Sequence, residues 1–240
     1  MNIKQIAVEV KDIHGRPVPG LELRAKGATS GTTTDIEGIA VLPVPSTMPR
    51  GALALELVNP AKPLVVISPC GAVVAIAQST RTVVLAKRAD PGLLSSPLAL
   101  ASLAGCILRA SPPLEKYQPA EYPRHRRQAL VSISRSIGVT PSNLDQAIRA
   151  WARKTTDPFD RGLGALYGER PRDAANLLLQ ALRIPNGHRP VTAKLSAGNQ
   201  DRVGAAEFYL GRALYAERRF AESEAPMNDR LQSGPMTAKF

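Results

Sequence analysis

Histidine and cysteine are scarce in this sequence, which has three histidines and two cysteines among 240 residues. His14, His125 and His188 lie far apart in predicted turns or linkers, so they lack the close spacing of zinc ligands. Cys70 and Cys106 fall in different predicted segments, and their separation matches neither a metal site nor a redox motif. We therefore expect no metal site and no disulfide framework.

Motifs of nucleophilic and nucleotide-dependent enzymes are missing as well. The sequence has no Gly-x-Ser-x-Gly elbow and no phosphate-binding loop. Gly162 and Gly164 belong to a helical pattern that no strand precedes, so they do not form a dinucleotide-binding fingerprint. Asp35 and Glu37 flank a turn, where a structural role is favoured over a calcium site. The sequence predicts no enzymatic activity and no cofactor.

Long hydrophobic runs are absent. The longest, residues 93–108, is interrupted by Pro97 and is shorter than the roughly 20 apolar residues that cross a bilayer. It predicts a buried or partner-facing helix, and a membrane-spanning segment is not expected. The first residues lead directly into a strand pattern without the features of a secretory signal, so a cytoplasmic location is the default expectation.

Aromatic residues make up only 4% of the chain, whereas the formal net charge is +11. A positive charge of this size is typical of proteins that bind nucleic acids or acidic membrane surfaces. The one dense basic cluster contains Arg124, Arg126 and Arg127, but it lacks the interleaved aromatic side chains on which single strands stack. A solvated basic surface is therefore favoured, and nucleic-acid binding through these three arginines is the alternative.

Residues 6–87 show the pattern of short β-strands. Apolar residues alternate with polar ones, as at Ile6, Val8 and Val10, and turns rich in Gly and Pro recur at short intervals. One turn runs from Asp35 to Gly38, where a positive φ is expected of the glycine. Seven or eight strands with this spacing predict an antiparallel β-sandwich instead of β-α-β units.

The remainder of the chain has a helical pattern. Helices are predicted at residues 98–110, 126–137 and 142–155. Gly138 stands where a C-terminal cap belongs, and Ser142 begins a capping box. Asp157 and Pro158 mark the start of a further helix, with an acid at the cap and proline in the first turn.

Two turn motifs give the strand-rich part a family resemblance. Gly15-Arg16-Pro17-Val18-Pro19-Gly20 contains a Gly-x-Pro-Val-x-Gly turn, and Thr34-Asp35-Ile36-Glu37-Gly38 contains a Thr-Asp-x-x-Gly turn. The segment from about residue 4 to 88 resembles the carboxypeptidase regulatory-like, transthyretin-like β-sandwich family. This resemblance implies a non-catalytic binding or structural module. It also leaves export open, because many members of the family are exported.

The C-terminal part resembles the tetratricopeptide repeats of bacterial proteins, in which small residues occur where paired helices touch. Phe208-Tyr209-Leu210-Gly211 aligns with an earlier unit around Gly162, and small and apolar residues follow both. The resemblance implies a peptide groove lined by the first helix of each unit. The residues at groove positions are Phe159, Leu163, Leu166, Arg212 and Tyr215.

Two of these groove residues have chemistry suited to a partner. Arg212 would pair with a carboxylate, and Tyr215 would offer a flat amphipathic contact. For Phe159, Leu163 and Leu166, packing between helices is the alternative to partner binding, and it is the favoured one.

Together these features predict a two-domain β plus α chain, an antiparallel β-sandwich followed by an all-α tetratricopeptide-like region. The predicted units are a sandwich at residues 1–88, a Pro-rich linker with a short helix at 89–125, a helical domain at 126–227 and an irregular tail at 228–240. Pro226 interrupts the last predicted helix, and repeats of this kind need about three units to bury their faces. The uncapped C-terminal helices therefore predict either an exposed apolar surface or a homodimer contact.

The predicted function is a non-catalytic adaptor, in which the helices bind a partner polypeptide and the sandwich is a spacer or anchor. One alternative is a surface-associated sandwich that binds carbohydrate or cell wall, with the helices as support. The other is a basic, nucleic-acid-associated protein.

Overall fold

The computed structural model contains a β region followed by helices. It describes residues 4–44, 52–58, 63–75, 81–110, 122–182, 197–219 and 222–223. His188, Pro226 and the predicted tail at 228–240 lie outside these residues. The two-part β plus α class predicted from the sequence is confirmed.

Eight strands form two four-stranded sheets within the described residues, in agreement with the predicted number. They are β1 (Lys4–Asp12), β2 (Glu22–Ala25), β3 (Thr32–Thr33), β4 (Ile39–Val44), β5 (Ala52–Leu57), β6 (Leu64–Ser68), β7 (Val73–Ala75) and β8 (Arg81–Lys87). The order in one sheet is β4-β1-β8-β6, and the order in the other is β3-β2-β5-β7.

Strands β1 and β8 pair in parallel, with Val8 opposite Arg81 and Asp12 opposite Leu85. The other pairs among the described strands are antiparallel. The prediction of an antiparallel β part is therefore wrong at this pair. Alternation and turn spacing report local reversals of the chain, but they contain no information about which distant strands meet side by side.

Alternate residues of both sheets meet in one apolar core. Val8 and Val10 of β1, Leu23 of β2 and Leu53 of β5 are fully buried, and they belong to one cluster of contacting side chains. Successive strand residues point to opposite faces, so the period-two pattern of the sequence places these side chains on the inner faces.

The two turn motifs of the β region meet at Thr34. Its hydroxyl donates to the carbonyl oxygen of Val18 at 2.7 Å and accepts from the backbone N–H of Leu21 at 2.9 Å. Gly38 ends the second turn with a φ of 76°, which confirms the prediction of a positive φ. A Cβ at Gly38 would lie 2.6 Å from the carbonyl oxygen of Val10, so the site accepts only glycine.

Six α-helices lie in the described residues. They are α1 (Pro97–Arg109), α2 (Tyr122–Ile137), α3 (Pro141–Lys154), α4 (Pro158–Tyr167), α5 (Pro171–Leu182) and α6 (Ala197–Ala216). No helix within the described ranges combines the length and the hydrophobicity needed to cross a bilayer.

The ends of the helices follow local capping chemistry. Gly138 follows α2 with a φ of 77°, as predicted. Asp157 caps α4 as predicted, because its carboxylate accepts from two backbone N–H groups of the first turn. The predicted cap at Ser142 is wrong by two residues. The cap is Thr140, because Pro141 occupies the first helical position. The Thr140 hydroxyl then accepts from the backbone N–H of Asn143 in the first turn.

Helix α1 packs against both the β region and the other helices. Leu103 and Ile107 belong to a buried cluster that also contains Ile67 of β6 and side chains of α3, α4, α5 and α6. Cys106 of α1 forms a disulfide with Cys70, so the expectation of no disulfide is wrong. The two cysteines are 36 residues apart in sequence, and the packing of α1 against β6 and residues 70–72 brings their Cα atoms to 5.4 Å.

Helix α4 approaches its neighbours closely at two glycines. A Cβ at Gly164 would lie 2.5 Å from the Cβ of Ala152 in α3, and a Cβ at Gly162 would lie 2.7 Å from Cγ of Leu178 in α5. At these two contacts the expectation that small residues let the helices nestle is confirmed.

Candidate functional site

The predicted groove residues of α4 lie in the interior of the molecule. Leu163 and Leu166 are 2% and 5% exposed, and Phe159 is partly buried against the same cluster of side chains. Helix α1 packs against α4 and contributes its own apolar side chains to this cluster. The geometry at these three residues is that of the packing alternative.

Arg212 is also directed inward. It is 6% exposed, its guanidinium donates to the carbonyl oxygen of Leu108, and its Cζ lies 4.9 Å from the ring centroid of Phe208. The last carbonyls of a helix carry partial negative charge, so the arginine of α6 stabilises the C-terminal end of α1. Tyr215 is partly buried one turn further along α6. Binding of a partner through Arg212 and Tyr215 stays a prediction.

Tyr209 connects α6 to the middle of α1. Its hydroxyl donates to the carbonyl oxygen of Gly105 at 3.0 Å and accepts from Nε of Arg109 at 3.1 Å. Its ring contacts Phe208 edge-on, with 5.2 Å between centroids. The signal for this contact in the sequence is Gly105, since glycine is unfavourable inside a helix and is used where another group must approach the backbone closely.

The predicted basic cluster does not form one surface. Arg124 and Arg127 are exposed on α2, whereas Arg126 is 6% exposed and faces the interior. The guanidinium of Arg126 lies 4.0 Å from the ring centroid of Tyr167 and 3.0 Å from Oε1 of Glu169. Arg126 therefore joins α2 to α4, and helical geometry separates it from its sequence neighbours.

Tyr167 and Asp145 complete this contact between helices. Burial, together with the hydrogen bond that Tyr167 donates to Asp145, raises the pKa of the Tyr167 hydroxyl to about 12. Burial alone would raise the pKa of Asp145, but hydrogen bonds from Arg149 and Tyr167 outweigh it and hold that pKa below its usual value. These shifts belong to a structural contact in which each polar group has a partner.

An open groove of about 450 Å³ lies where α3, α4 and α5 meet. We call it the arginine groove, because Arg153 from α3, Arg161 from α4 and Arg170 from the turn before α5 line it. Ala152 and Leu177 supply apolar surface in the same lining.

The three arginines differ in their pairing. Arg170 lies 3.3 Å from a carboxylate oxygen of Asp173, and both side chains are more than half exposed. Arg153 and Arg161 make no side-chain hydrogen bond or ion pair within the described part of the chain. Guanidinium groups that lack such a partner bind carboxylates and phosphates through pairs of parallel hydrogen bonds.

A second basic depression, of about 360 Å³, lies along α2 and is lined by Arg127, Val131 and Arg135. Its described lining residues all come from one helix, whereas three helices form the arginine groove. The surface of α2 is therefore a matched reference for the groove, with the same type of charge on a simpler shape.

The sequence did not reveal the arginine groove. Its arginines are isolated in the sequence at positions 153, 161 and 170, so they form no dense cluster of charge there. They converge because α4 and α5 form a hairpin against the end of α3.

The residues considered for metals have other surroundings. Oδ1 of Asp35 accepts hydrogen bonds from the backbone N–H groups of Glu37 and Ile39, which is the turn role favoured from the sequence. Within the described ranges, no three His, Cys, Asp or Glu side chains come together in a way that could hold a metal ion.

No protein-family model matches this chain, and no curated protein or solved structure is significantly similar to it. The fold therefore defines a class, a β region of two sheets with a helical region packed on it, and the family resemblances stay predictions.

Proposed function

We propose that the protein is a non-catalytic adaptor in which a transthyretin-like β-sandwich serves as spacer or anchor and tetratricopeptide-like helices bind a partner polypeptide. The observation that carries the proposal is the position of α1, which joins the two parts. A rigid connection would hold the binding surface at a fixed position relative to the anchor, and α1 supplies such a connection.

Several contacts support a rigid connection. The Cys70–Cys106 disulfide attaches α1 to the β region covalently. At the other end of α1, the hydroxyl of Ser96 donates to the carbonyl oxygen of Ile13 at 2.9 Å, and Ser96 is buried. The backbone N–H of Ala89 donates to the carbonyl oxygen of Ile137 at 2.7 Å, which ties the end of β8 to α2.

The same helix decides which surface is available to a partner. Leu103 and Ile107 of α1 share one buried cluster with Leu163 and Leu166 of α4, so the predicted inner groove is filled by the chain itself. The arginine groove lies open on the helices α3, α4 and α5. We therefore assign partner binding to the arginine groove.

The disulfide also bears on where the adaptor acts. Disulfides persist in oxidising compartments and are rare where glutathione and thioredoxin keep thiols reduced. The Cys70–Cys106 bond thus favours a site of action outside the reducing cytosol. This differs from the default drawn from the sequence and agrees with the export that the β-sandwich resemblance left open.

Site-specific photo-crosslinking in the producing cells tests the adaptor. The photoreactive residue p-benzoylphenylalanine would replace Asn176, which is exposed and lines the arginine groove. A second protein would carry it at Gln146, which is exposed on α3 and does not line the groove. We expect a crosslinked protein from position 176 that is absent from position 146.

Charge reversal at the groove then distinguishes a crosslink that depends on the groove arginines from one that reflects only chance proximity. Arg153→Glu with Arg161→Glu should abolish the crosslink from position 176, and Arg124→Glu with Arg127→Glu on α2 should leave it unchanged. The same crosslinked products from both positions, or equal loss in both charge variants, would count against the adaptor.

A further inference from the structure

We infer that the ligand of the arginine groove is an acidic polypeptide segment, in which closely spaced carboxylates pair with Arg153, Arg161 and Arg170. This inference rests on the proposed adaptor function and names the chemistry of its partner. Nothing in the sequence motifs assigns a ligand to these three residues.

The shape of the groove suits a segment of chain better than a single ion. Its volume of about 450 Å³ falls within the range of roughly 300–1,000 Å³ that is usual for ligand sites. One carboxylate or phosphate would fill a small part of that space, since a water molecule occupies about 30 Å³ of the liquid. A short segment of polypeptide matches this volume better than a single ion does.

The charges of the groove favour carboxylates. Arg153 and Arg161 have no acidic partner among the described residues, so no described carboxylate competes with a ligand for their guanidinium groups. Among the described side chains Arg170 pairs only with Asp173, in an exposed ion pair of the kind that contributes little to stability. A ligand carboxylate could replace Asp173 at Arg170 at small cost.

The uncharged lining favours a polypeptide. Ala152 and Leu177 provide apolar surface for the methylene groups of glutamate side chains. Asn176 is exposed in the groove, and its amide can both donate to and accept from a peptide backbone.

The same lining disfavours nucleic acid. Its described residues include no aromatic side chain on which a base could stack. The carboxylate of Asp173 also lies within it and would repel a continuous phosphate backbone, whereas a peptide can place its carboxylates away from it.

Fluorescence anisotropy with the purified full chain tests the ligand class. The probes are labelled hexaglutamate, labelled hexaglutamine and a labelled thymidine hexanucleotide, all at the same low ionic strength. We expect hexaglutamate to bind at least about tenfold more tightly than hexaglutamine, since several charge-assisted pairs form at once. We expect it to bind more tightly than the oligonucleotide as well.

Matched variants locate the binding site. Arg153→Gln with Arg161→Gln should weaken hexaglutamate binding roughly three- to tenfold, whereas Arg124→Gln with Arg127→Gln should change it less than about twofold. Both variants remove two exposed charges, so general electrostatic attraction falls equally in each. Arg153→Lys with Arg161→Lys should bind with intermediate affinity, because ammonium groups keep the charge but lose the bidentate geometry.

Three outcomes would overturn the inference. They are equal weakening by the two glutamine variants, tighter binding of the oligonucleotide than of hexaglutamate, and equal binding of hexaglutamate and hexaglutamine. If position 176 gives the groove-dependent crosslink but hexaglutamate does not bind, the adaptor stands and only the acidic ligand is wrong. If position 176 gives no such crosslink and hexaglutamate does not bind, the adaptor and the acidic ligand are both wrong.

Discussion

The hydroxyl of Tyr167 donates a hydrogen bond to Oδ1 of Asp145 at 2.9 Å, and this contact joins the end of α4 to the first turns of α3. Tyr167 is fully buried, and the guanidinium of Arg126 lies against its ring. Three helices thus meet at one tyrosine whose polar and aromatic surfaces both have partners. The contact keeps α3 and α4 in the arrangement that forms the arginine groove.

Removing the Tyr167 hydroxyl should destabilise the fold without changing its shape. Tyr167→Phe keeps the ring beneath Arg126 but leaves Asp145 with one donor fewer. A hydrogen bond to a charged acceptor contributes about 1.5–3 kcal/mol, so we expect a loss of that order in the free energy of unfolding in urea. The control is the same change in an Asp145→Asn background, where the acceptor of the Tyr167 hydroxyl carries no charge and the loss should be smaller. Equal losses in the two backgrounds would contradict the role of the Tyr167 contact.

The same pair should make stability depend on pH at both ends of the scale. The pKa of Asp145 is lowered from 3.8 in the folded protein, so its contribution is present above that value and is lost as the pH falls through the folded pKa. The pKa of Tyr167 is raised from 10.0 to about 12, so its contribution is present below 10.0 and is lost as the pH rises through about 12.

Comparison with variants isolates these contributions from those of other groups. Thermal unfolding of Asp145→Asn should approach that of the wild type as the pH falls below 3.8. Unfolding of Tyr167→Phe should approach that of the wild type between pH 10.0 and about 12. Differences that stay constant across these intervals would show that the two groups do not titrate as a native pair.

The sequence predicted features that depend on neighbouring residues. The strands, the positive φ at Gly38, the glycine after α2 and the cap at Asp157 all follow from local periodicity and local hydrogen bonding. Close helix contacts at Gly162 and Gly164 follow from the absence of a side chain.

Features that depend on contacts between distant residues were not predictable in this way. The parallel pairing of β1 with β8, the Cys70–Cys106 disulfide and the arginine groove each require knowledge of which elements meet. The prediction for Arg212 illustrates the limit. A cationic side chain on a helix suits a groove or a helix end equally well, and its contact with the Leu108 carbonyl oxygen depends on where α1 lies.

The disulfide should contribute measurably to stability. Replacing both cysteines, Cys70→Ser with Cys106→Ser, releases α1 from the β region in the unfolded chain and should lower the free energy of unfolding by about 2–4 kcal/mol. Dithiothreitol should lower the urea midpoint of the wild type to that of the variant and have no effect on the variant. Reaction of both cysteines with a thiol reagent before reduction would disprove the bond.

The contact between Gly105 and Tyr209 allows a test of how α1 packs against α6. Alanine is favoured over glycine in a helix by about 1 kcal/mol, so Gly105→Ala would stabilise an α1 that had free space at this position. A Cβ there would instead lie 2.9 Å from the Tyr209 hydroxyl oxygen, and Tyr209 is only 2% exposed, so its ring has little freedom to move. We expect Gly105→Ala to destabilise the protein by about 1–3 kcal/mol in urea unfolding.

A second substitution tells overpacking from any other effect of the alanine. Tyr209→Phe removes the oxygen that the new Cβ would strike, so Gly105→Ala should cost much less in that background and can even stabilise it. The quantity to compare is the effect of Gly105→Ala in the two backgrounds, each measured by urea unfolding. If Gly105→Ala lowers the free energy of unfolding equally with Tyr209 and with phenylalanine at position 209, α1 does not lie against the Tyr209 hydroxyl. The packing of α1 against α6 is then not the one described.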